Sequence, residues 1–343
     1  MNQIGIERAS IQKIIERLHG RRPRQLRLHL RPLRGGLDSL AVLRVTASFR
    51  DRRGRRRISN IVAKRLQGSG AREAVIYQQL VTEHAQELAP RLLGVDHQSD
   101  GQSVLYLECV RPVRSWPWRN LETAEHLIGA LARLHMATAA TDSAASLPAW
   151  DYEAELKRSS ETVLELLARC RHSDFSPLAC HMPSVRRLTL ALPVMRRELL
   201  AFSPFGNVAI HGDVHPGNVL VRRRAVSEQA ILIDWGRARA GSPLEDLSSW
   251  LQSLGYWEPR VRLRHDTLLA AYLSARGMER RLSSELRATY WLAGASNAFS
   301  GALEYYLRRV VGPTHGVAAH RQAAAHSASD WLRIVRRAAM LWN

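Results

Sequence analysis

The chain has 343 residues, of which 45% are apolar, and a formal net charge of +19 at pH 7. This length and apolar content suffice for a two-lobed globular protein and exclude a disordered chain. No stretch approaches the roughly 20 apolar residues that a membrane-spanning helix needs, so we expect a protein that does not enter a membrane.

The number and spacing of the cysteines indicate the cellular compartment in which the protein is expected. Cys109, Cys170 and Cys180 are odd in number and lack metal-site spacing, which argues against a disulfide framework and against a zinc site. The expected location is the reducing cytoplasm.

The N-terminal segment has the pattern of an amphipathic helix followed by strands. Isoleucines and a leucine recur at helical spacing, with Ser10 as the predicted N-cap: Ile4, Ile11, Ile14, Ile15 and Leu18. Leucines then alternate with polar residues over 26–30, and a second strand is predicted over 40–46. Gly35 and Gly36 lie between these strands, a position that fits an ordinary turn or a close backbone approach to a ligand.

A lysine stands out at the end of the next predicted strand, Ile61-Val62-Ala63-Lys64. All but three of the fifty basic residues are arginines, the exceptions being Lys13, Lys64 and Lys157. A compact ammonium group suits phosphate oxygens, which makes Lys64 a candidate phosphate ligand. A helix over 71–80 follows, and then two strands over 90–95 and 104–110.

The second half of the chain is predicted to be mainly helical. Apolar residues repeat at helical spacing over 121–137, 152–170 and 185–202. His135 ends one such apolar pattern, and we expect it to be a packed structural histidine.

Two polar blocks lie next to short apolar runs in this half. His211-Gly212-Asp213-Val214-His215-Pro216-Gly217-Asn218 is bracketed by runs at 208–210 and 219–221, which predicts a hairpin-like loop with an exposed polar tip. A strand over 230–233 leads directly to Asp234-Trp235-Gly236. Phosphoryl transfer needs a carboxylate to orient the attacking hydroxyl and oxygen ligands for Mg²⁺, and Asp213, Asn218 and Asp234 can supply both.

These two blocks resemble those of the aminoglycoside phosphotransferase and choline kinase-like small-molecule kinases. The resemblance implies an α+β, bilobal, protein kinase-like fold, with a small antiparallel sheet and one helix in the N-terminal lobe and a larger, mainly helical C-terminal lobe. We expect these lobes at residues 1–110 and 111–343. Asp213 would be the catalytic base, and Asn218 and Asp234 the Mg²⁺ ligands.

The resemblance also assigns roles in the first lobe. Lys64 paired with Glu73 would hold the phosphates of ATP, and Gly35 with Gly36 would form the loop that covers them. Backbone groups of the hinge, from Glu108 to Val110, would contact adenine. His211 would be a structural hydrogen-bonding residue. Asp246 would accept hydrogen bonds near the catalytic loop or cap the following helix.

The substrate is expected to be a small molecule with a hydroxyl group, a metabolite or an antibiotic. Only a few residues separate Gly236 from the next predicted helix, which leaves no room for a long activation loop. Acidic residues that would line a site for a polycationic aminoglycoside show no clustering. Arginines near two tryptophans could instead line a site for a neutral or anionic metabolite: Arg111, Arg114, Arg119, Arg237 and Arg239, with Trp116 and Trp118, which could also simply pack at the hinge.

Two other functions fit the sequence. One is a catalytically silent kinase-fold protein that binds a nucleotide or a partner. The other is a kinase that acts on a macromolecule through its basic surface. The basic clusters at 21–24, 52–57, 222–224 and 336–337 are scattered along the sequence without a nucleic-acid-binding motif, which argues against nucleic acid as the main partner. The sequence does not predict the oligomeric state.

Overall fold

The computed structural model describes residues 6–33, 39–98, 101–113, 115–223, 228–312 and 318–342. The chain forms two compact units. Unit 1 comprises Met1–Pro117, Ala145–Pro148 and Gly217–Ala238, and unit 2 comprises Trp118–Ala144, Ala149–Pro216 and Arg239–Asn343. The segment Gly217–Ala238 therefore groups with unit 1, whereas the division expected at residue 110 assigned it to the second lobe; that division stays a prediction.

The described strands are, in chain order, β1 (Arg24–Pro32), β2 (Ser39–Arg50), β3 (Arg56–Leu66), β4 (Leu92–His97), β5 (Ser103–Glu108), β6 (Val208–Ile210), β7 (Val219–Arg223), β8 (Glu228–Leu232) and β9 (Arg239–Gly241). The described α-helices are α1 (Arg8–His19), α2 (Arg72–Ile76), α3 (Thr82–His84), α4 (Leu121–Ala139), α5 (Tyr152–Cys170), α6 (Met182–Ala201), α7 (Pro243–Trp257), α8 (His265–Ala275), α9 (Ser284–Asn297), α10 (Leu303–Val311) and α11 (Ala318–Leu341). Helix α2 continues into α3 through a π-helical turn over Tyr77–Val81.

Unit 1 is built on an antiparallel sheet, as predicted, and its strand order is β1-β2-β3-β5-β4. Strand β3 lies in the middle, between β2 and β5. One face of the sheet forms an apolar core with α1, in which Ile11, Val45, Ile61 and Tyr106 are almost completely buried. Successive residues of a strand point to opposite faces, so Lys64 lies on the face opposite Ala63, which belongs to this core.

Helix α1 begins earlier than the sequence predicts. Glu7 is its N-cap, in an extended conformation, and Ser10 is its third residue, so the prediction of a Ser10 cap is wrong. The guanidinium group of Arg8 donates to the carbonyl group of Leu26 at 2.5 Å. This hydrogen bond connects the first turn of α1 to β1. Capping preferences describe only local sequence, so they do not predict a helix start that is accompanied by a tertiary contact.

Unit 2 consists mainly of helices. A large core is formed by α5, α6, α9, α10 and α11, with the side chains of Leu167, Leu188, Phe299 and Leu332 fully buried. Helix α6 contains Pro193, a residue that removes one backbone donor from the helix interior. The predicted helices over 121–137, 152–170 and 185–202 correspond to α4, α5 and α6.

The short strands near the predicted catalytic loop pair differently from the prediction. Strand β6 pairs with β9, and β7 pairs with β8, both antiparallel. The hairpin predicted between the runs at 208–210 and 219–221 is therefore wrong. That prediction assumed that strands adjacent in sequence pair with each other, whereas β6 pairs with a strand about thirty residues later.

None of the helices in the described ranges is both long enough and apolar enough to cross a membrane.

Helix α6 offers a matched pair of leucines for testing the core of unit 2. Leu188 is 0% exposed and Leu190 is 79% exposed. Leu188→Ala should lower the free energy of unfolding by about 2–5 kcal/mol because it leaves a cavity, whereas Leu190→Ala should change it by less than about 0.5 kcal/mol. Urea denaturation followed by circular dichroism measures both. Similar losses for the two variants would contradict the burial assigned to α6.

Candidate active site

The side chain of Lys64 is positioned by the middle strand of the unit 1 sheet. Lys64 is opposite Val42 of β2 on one side and Leu105 of β5 on the other. It is 7% exposed. A strand that is hydrogen-bonded on both sides cannot shift its register without loss of these pairings, so the backbone of Lys64 is held rigidly.

Two carboxylates contact the ammonium group of Lys64. Its Nζ lies 2.6 Å from Oε2 of Glu73 and 2.5 Å from Oδ1 of Asp234. The side chain of Glu73 is 3% exposed, and that of Asp234 is 32% exposed. The predicted Lys64–Glu73 ion pair is therefore present, and Asp234 joins it as a second, more exposed partner.

Burial and charge act in opposite directions on this cluster. Burial acts to lower the pKa of Lys64, but the charges of Glu73 and Asp234 outweigh it and raise the pKa above its ordinary value. Burial raises the pKa of Glu73, while Lys64 opposes that rise. The ammonium group of Lys64 is thus kept charged in a site that excludes most water.

Asn218 and Asp234 lie at the same end of the β7–β8 hairpin. Asn218 directly precedes β7, and the amide of Ile233 donates to the carbonyl of Asn218 at 2.9 Å. Asp234 follows and has a φ of 65°, a left-handed conformation that is uncommon for residues other than glycine and is found repeatedly at functional sites. The two residues are thus neighbours at one end of the hairpin, and their role as Mg²⁺ ligands stays a prediction.

The turn after Asp234 packs against the helix that carries Glu73. The backbone N–H of Trp235 donates a hydrogen bond to Glu73. Arg72 donates to the carbonyl groups of Gly236 at 2.8 Å and Pro148 at 2.9 Å. This role of Arg72 could not be predicted, because no sequence pattern distinguishes it from the other arginines among the forty-seven of the chain.

The predicted catalytic loop belongs to unit 2 up to Pro216 and begins directly after β6. His211 is 0% exposed, and its Nδ1 accepts a hydrogen bond from the amide of Asp213 at 3.2 Å. Gly212 has a φ of 78°, which a residue with a Cβ rarely adopts. The carboxylate of Asp213 is 36% exposed and lies 3.7 Å from Nε2 of His215. His211 therefore supports the loop, while Asp213 is accessible.

Asp246, in the first turn of α7, anchors this loop. Its two oxygens accept the amide protons of His211 at 2.8 Å and Gly212 at 2.7 Å. Nε2 of His135 lies 3.1 Å from the same carboxylate, and Nδ1 of His135 lies 2.7 Å from the hydroxyl group of Tyr272. Of the two roles predicted for Asp246, the structure shows the hydrogen-bond acceptor; the cap of α7 is Ser242.

The pKa of Asp246 lies below its ordinary value. Burial alone would raise this pKa. The hydrogen bond and charge of His135, together with the backbone amide of Gly212, lower the pKa by more than burial raises it. The carboxylate therefore stays ionised although it is completely buried.

The prediction that Arg239 lines a substrate site is wrong. Arg239 is 3% exposed, and its guanidinium group lies 3.3 Å from Oε1 of Glu245 and 3.7 Å from the centroid of the Tyr152 ring. Arg196 contacts the same Glu245 oxygen at 2.7 Å. Arg239 also lies 3.4 Å from the carbonyl of Gly212, so it connects α5, α7 and the loop in the interior.

Trp118, a second residue weighed for the substrate site, packs in the interior of unit 2. It is 1% exposed, and its ring meets that of Trp250 edge to face at 4.8 Å. Packing, the alternative that the sequence left open, therefore describes Trp118. Trp116 is 40% exposed, and Arg114 lies outside the described residues.

The remaining predicted contacts are in unit 1. Glu108 forms an ion pair with Arg222 at 2.7 Å, and the amide of Val110 donates to the carbonyl of Glu108 at 3.1 Å. Gly35 and Gly36 lie outside the described residues. Across the described part of the chain there is no group of three or more His, Cys, Asp or Glu side chains arranged to hold a metal ion.

Removal of the Lys64 cation should destabilise the protein. Lys64→Met leaves Glu73 buried next to Asp234 without its counter-charge, and we expect a loss of about 3–5 kcal/mol in the free energy of unfolding at pH 8. The loss should be smaller at pH 5 than at pH 8, because burial raises the pKa of Glu73 and the substitution removes the lysine that opposes this rise, so a larger fraction of Glu73 is protonated at the lower pH. Urea denaturation at both pH values measures this. Lys13→Met is the matched control, since Lys13 is exposed; equal effects of the two substitutions would show that the ion pair contributes nothing.

Asp246→Asn tests the anchor of the loop. We expect it to lower the free energy of unfolding by about 1.5–3 kcal/mol at pH 7, because a charged hydrogen-bond acceptor is lost. The folded-state pKa of Asp246 is depressed, so its contribution is complete above its ordinary value of 3.8 and is lost as the pH falls below that value. Asp174→Asn, at an exposed position, serves as the control. A difference from wild type that stays constant down to pH 3 would contradict this account.

The chain was compared with known proteins by sequence and by structure. The model of the phosphotransferase enzyme family matches residues 29–288. No curated protein matches the chain by sequence. Among solved structures, spectinomycin phosphotransferase in complex with ADP and spectinomycin is similar with a TM-score of 0.60 at 11% identity, over 98% of this chain and 99% of that chain.

Two further structures are similar. A choline/ethanolamine kinase family protein from Mesorhizobium loti has a TM-score of 0.52 at 18% identity, over 90% of this chain and 92% of that chain. Amicoumacin kinase in complex with AMP-PNP and Ca²⁺ has a TM-score of 0.56 at 13% identity, over 97% and 96%. At these identities the structures show the fold alone, and it is the predicted protein kinase-like fold.

The family match covers most of the chain, including the predicted catalytic loop and the two carboxylates that contact Lys64. The chain therefore belongs to the phosphotransferase enzyme family and is a phosphotransferase that acts on hydroxyl groups.

Proposed function

We propose that this protein transfers the γ-phosphoryl group of ATP to a hydroxyl group of a small molecule in a Mg²⁺-dependent reaction. The observation that carries the proposal is the ammonium group of Lys64, held 2.6 Å from Glu73 and 2.5 Å from Asp234. An ion pair of this kind positions the lysine for nucleotide phosphates in kinases. Similar structures that contain ADP or AMP-PNP support a nucleotide as the donor.

Unit 1 would bind the nucleotide. Lys64, oriented by Glu73, would contact phosphate oxygens, and the loop with Gly35 and Gly36 would cover them. The hinge residues Glu108 and Val110 would lie at the adenine.

Asn218 and Asp234 would hold Mg²⁺. Their oxygens are a donor set that fits this ion, which takes one or two carboxylates and completes its coordination with phosphate and water. The bound ion would neutralise charge on the transferring phosphoryl group. A carboxylate has two oxygens with two lone pairs each, so Asp234 can contact Lys64 through Oδ1 and still serve as a ligand.

Asp213 would act on the acceptor. Its accessible carboxylate would orient the substrate hydroxyl and take up its proton as the bond to phosphorus forms. The hydrogen bonds from the amides of His211 and Gly212 to Asp246 hold the loop in place. Asp213 needs this support because a small displacement of a catalytic group is costly in rate.

The acceptor is proposed to be a small molecule. Pro243 begins α7 only seven residues after Gly236, so the chain has no long activation segment with which protein kinases bind their substrates. Similar structures include enzymes named for spectinomycin and for choline or ethanolamine, and all of these compounds carry hydroxyl groups. We expect the reaction in the cytoplasm, where ATP is available and free thiols such as those of Cys109, Cys170 and Cys180 persist.

Two substitutions separate chemistry from metal binding. Asp213→Asn should reduce phosphoryl transfer by about 10²–10⁴-fold and leave the affinity for ATP with Mg²⁺ nearly unchanged. Asp234→Asn should remove the Mg²⁺-dependent part of ATP binding as well. Activity is measured by mass spectrometry as phosphoryl gain over a panel of hydroxylated metabolites and antibiotics, and binding by calorimetry.

Asp174→Asn is the control for both measurements, because Asp174 is exposed in unit 2. Full activity of the Asp213→Asn protein would remove Asp213 from the mechanism. ATP binding that is equally dependent on Mg²⁺ in wild type and in Asp234→Asn would do the same for the metal assignment.

A further inference from the structure

Two arginine clusters that are separate in the sequence come together in unit 1. The first is at 21–24, between α1 and β1, and the second is at 50–57, in the turn between β2 and β3. Together they form what we call the basic patch: Arg21, Arg22, Arg24, Arg50, Arg52, Arg53, Arg55, Arg56 and Arg57. All nine side chains are exposed.

Strand pairing brings the two clusters together. Arg24 is opposite Arg50 in the β1–β2 register, and the guanidinium group of Arg50 donates to the side chain of Gln25 at 2.9 Å. His19, at the end of α1, contacts Ser59 of β3 at 2.9 Å and meets the Phe49 ring edge to face at 5.0 Å. The patch is therefore one continuous surface with fixed backbone geometry.

The charge of the patch is nearly uncompensated. Its two segments hold nine arginines and one acid, Asp51, so they carry +8 of the chain's formal +19. The carboxylate of Asp51 accepts hydrogen bonds from Arg57 and from the amides of Arg53 and Arg55, each at 3.0 Å. Asp51 thus shapes the turn. A bias of the whole chain towards arginine over lysine explains the choice of arginine, but it does not explain the lack of acids here.

The surface is concave. Both segments line a cavity of about 370 Å³, with Arg21, Arg24, Arg52 and Arg57 among its walls. A guanidinium group binds phosphate oxygens through two parallel hydrogen bonds. Phosphodiester groups that project from a nucleic-acid strand can enter a cavity of this size, whereas a flat bilayer surface would contact only its rim.

The patch is far from the proposed nucleotide site within unit 1. Arg56 begins β3, and Lys64 follows eight residues later on the same strand. At about 3.3 Å per residue, these positions are roughly 26 Å apart. A ligand on the patch would therefore not occupy the space next to Lys64, and substitutions in the patch leave the residues around Lys64 unchanged.

We propose that the basic patch binds the phosphate backbone of nucleic acid without sequence preference. Arginines that contact phosphates release counterions from the nucleic acid, so binding weakens steeply with salt. The patch has no strand whose aromatic side chains are arranged to stack on bases. We therefore expect binding that does not depend on the nucleotide sequence. The interaction is separate from phosphoryl transfer and does not rest on it.

The test uses the full chain and a short mixed-sequence DNA duplex, with binding followed by fluorescence anisotropy between about 50 and 200 mM salt. The patch variant carries Arg52→Gln, Arg53→Gln and Arg55→Gln. None of these three side chains makes a contact that the described part of the structure records, so the fold is preserved. We expect an affinity loss of about tenfold or more, and a plot of log K against log salt that is less steep by about 3.

The control variant carries Arg260→Gln, Arg280→Gln and Arg281→Gln, which removes the same charge from exposed positions in unit 2. It should bind the duplex like wild type. A second patch variant, with Arg21→Gln and Arg22→Gln, should weaken binding as well, because both segments form one surface. Phosphoryl transfer should be unchanged in all three.

Equal losses for the patch and control variants would show that net charge alone attracts the duplex, and this would overturn the proposal. Absence of binding at 50 mM salt would overturn it too. So would binding to phosphatidylserine vesicles that depends on the patch, if the duplex is not bound, because the partner would then be a membrane.

Discussion

The geometry of unit 1 depends on the ion pairs that the ammonium group of Lys64 forms with two carboxylates. The ammonium group joins the middle strand of the sheet to the helix with Glu73, which follows that strand, and to the turn with Asp234, which lies 170 residues after Lys64. The buried carboxylate of Glu73 alone would be costly in this interior, and the cation offsets that cost. The β7–β8 pairing places Asp234 next to Asn218, and the ion pair with Lys64 connects this end of the hairpin to the sheet.

A comparable constraint operates inside unit 2, with the charges reversed. Here a buried carboxylate, Asp246, accepts the amide protons that begin the catalytic loop, while His135 and Tyr272 complete its surroundings. Next to it, Glu245 forms ion pairs with two buried arginines, Arg196 and Arg239. The backbone hydrogen bonds of His211 and Gly212 to Asp246 thus help to position Asp213, whose side chain is 36% exposed.

Local patterns in the sequence predicted a large part of this structure. The alternation of leucines gave β1, helical spacing gave α4 to α6, and the polar blocks gave the loop and the turn at Asp234. The Lys64–Glu73 pair was also predicted, because a family resemblance supplies a contact that spacing cannot. The pairing of β6 with β9 was missed, since strand partners far apart in the chain leave no local signal. The burial of Arg239 was missed for a related reason: its partners Glu245 and Tyr152 come from two different helices.

The distribution of charge is a second property that local sequence patterns do not predict. In the sequence, the arginine clusters at 21–24 and 52–57 are two of four basic clusters. Because these clusters are scattered along the chain, the sequence argues against nucleic acid as the main partner. An electrostatic potential, however, is summed over space and not over sequence. The pairing of β1 with β2 places Arg24 opposite Arg50, and the turn between β2 and β3 then extends the same surface. A partner for this surface can be inferred only when the register of the sheet is known, because the register determines which arginines lie on the same surface.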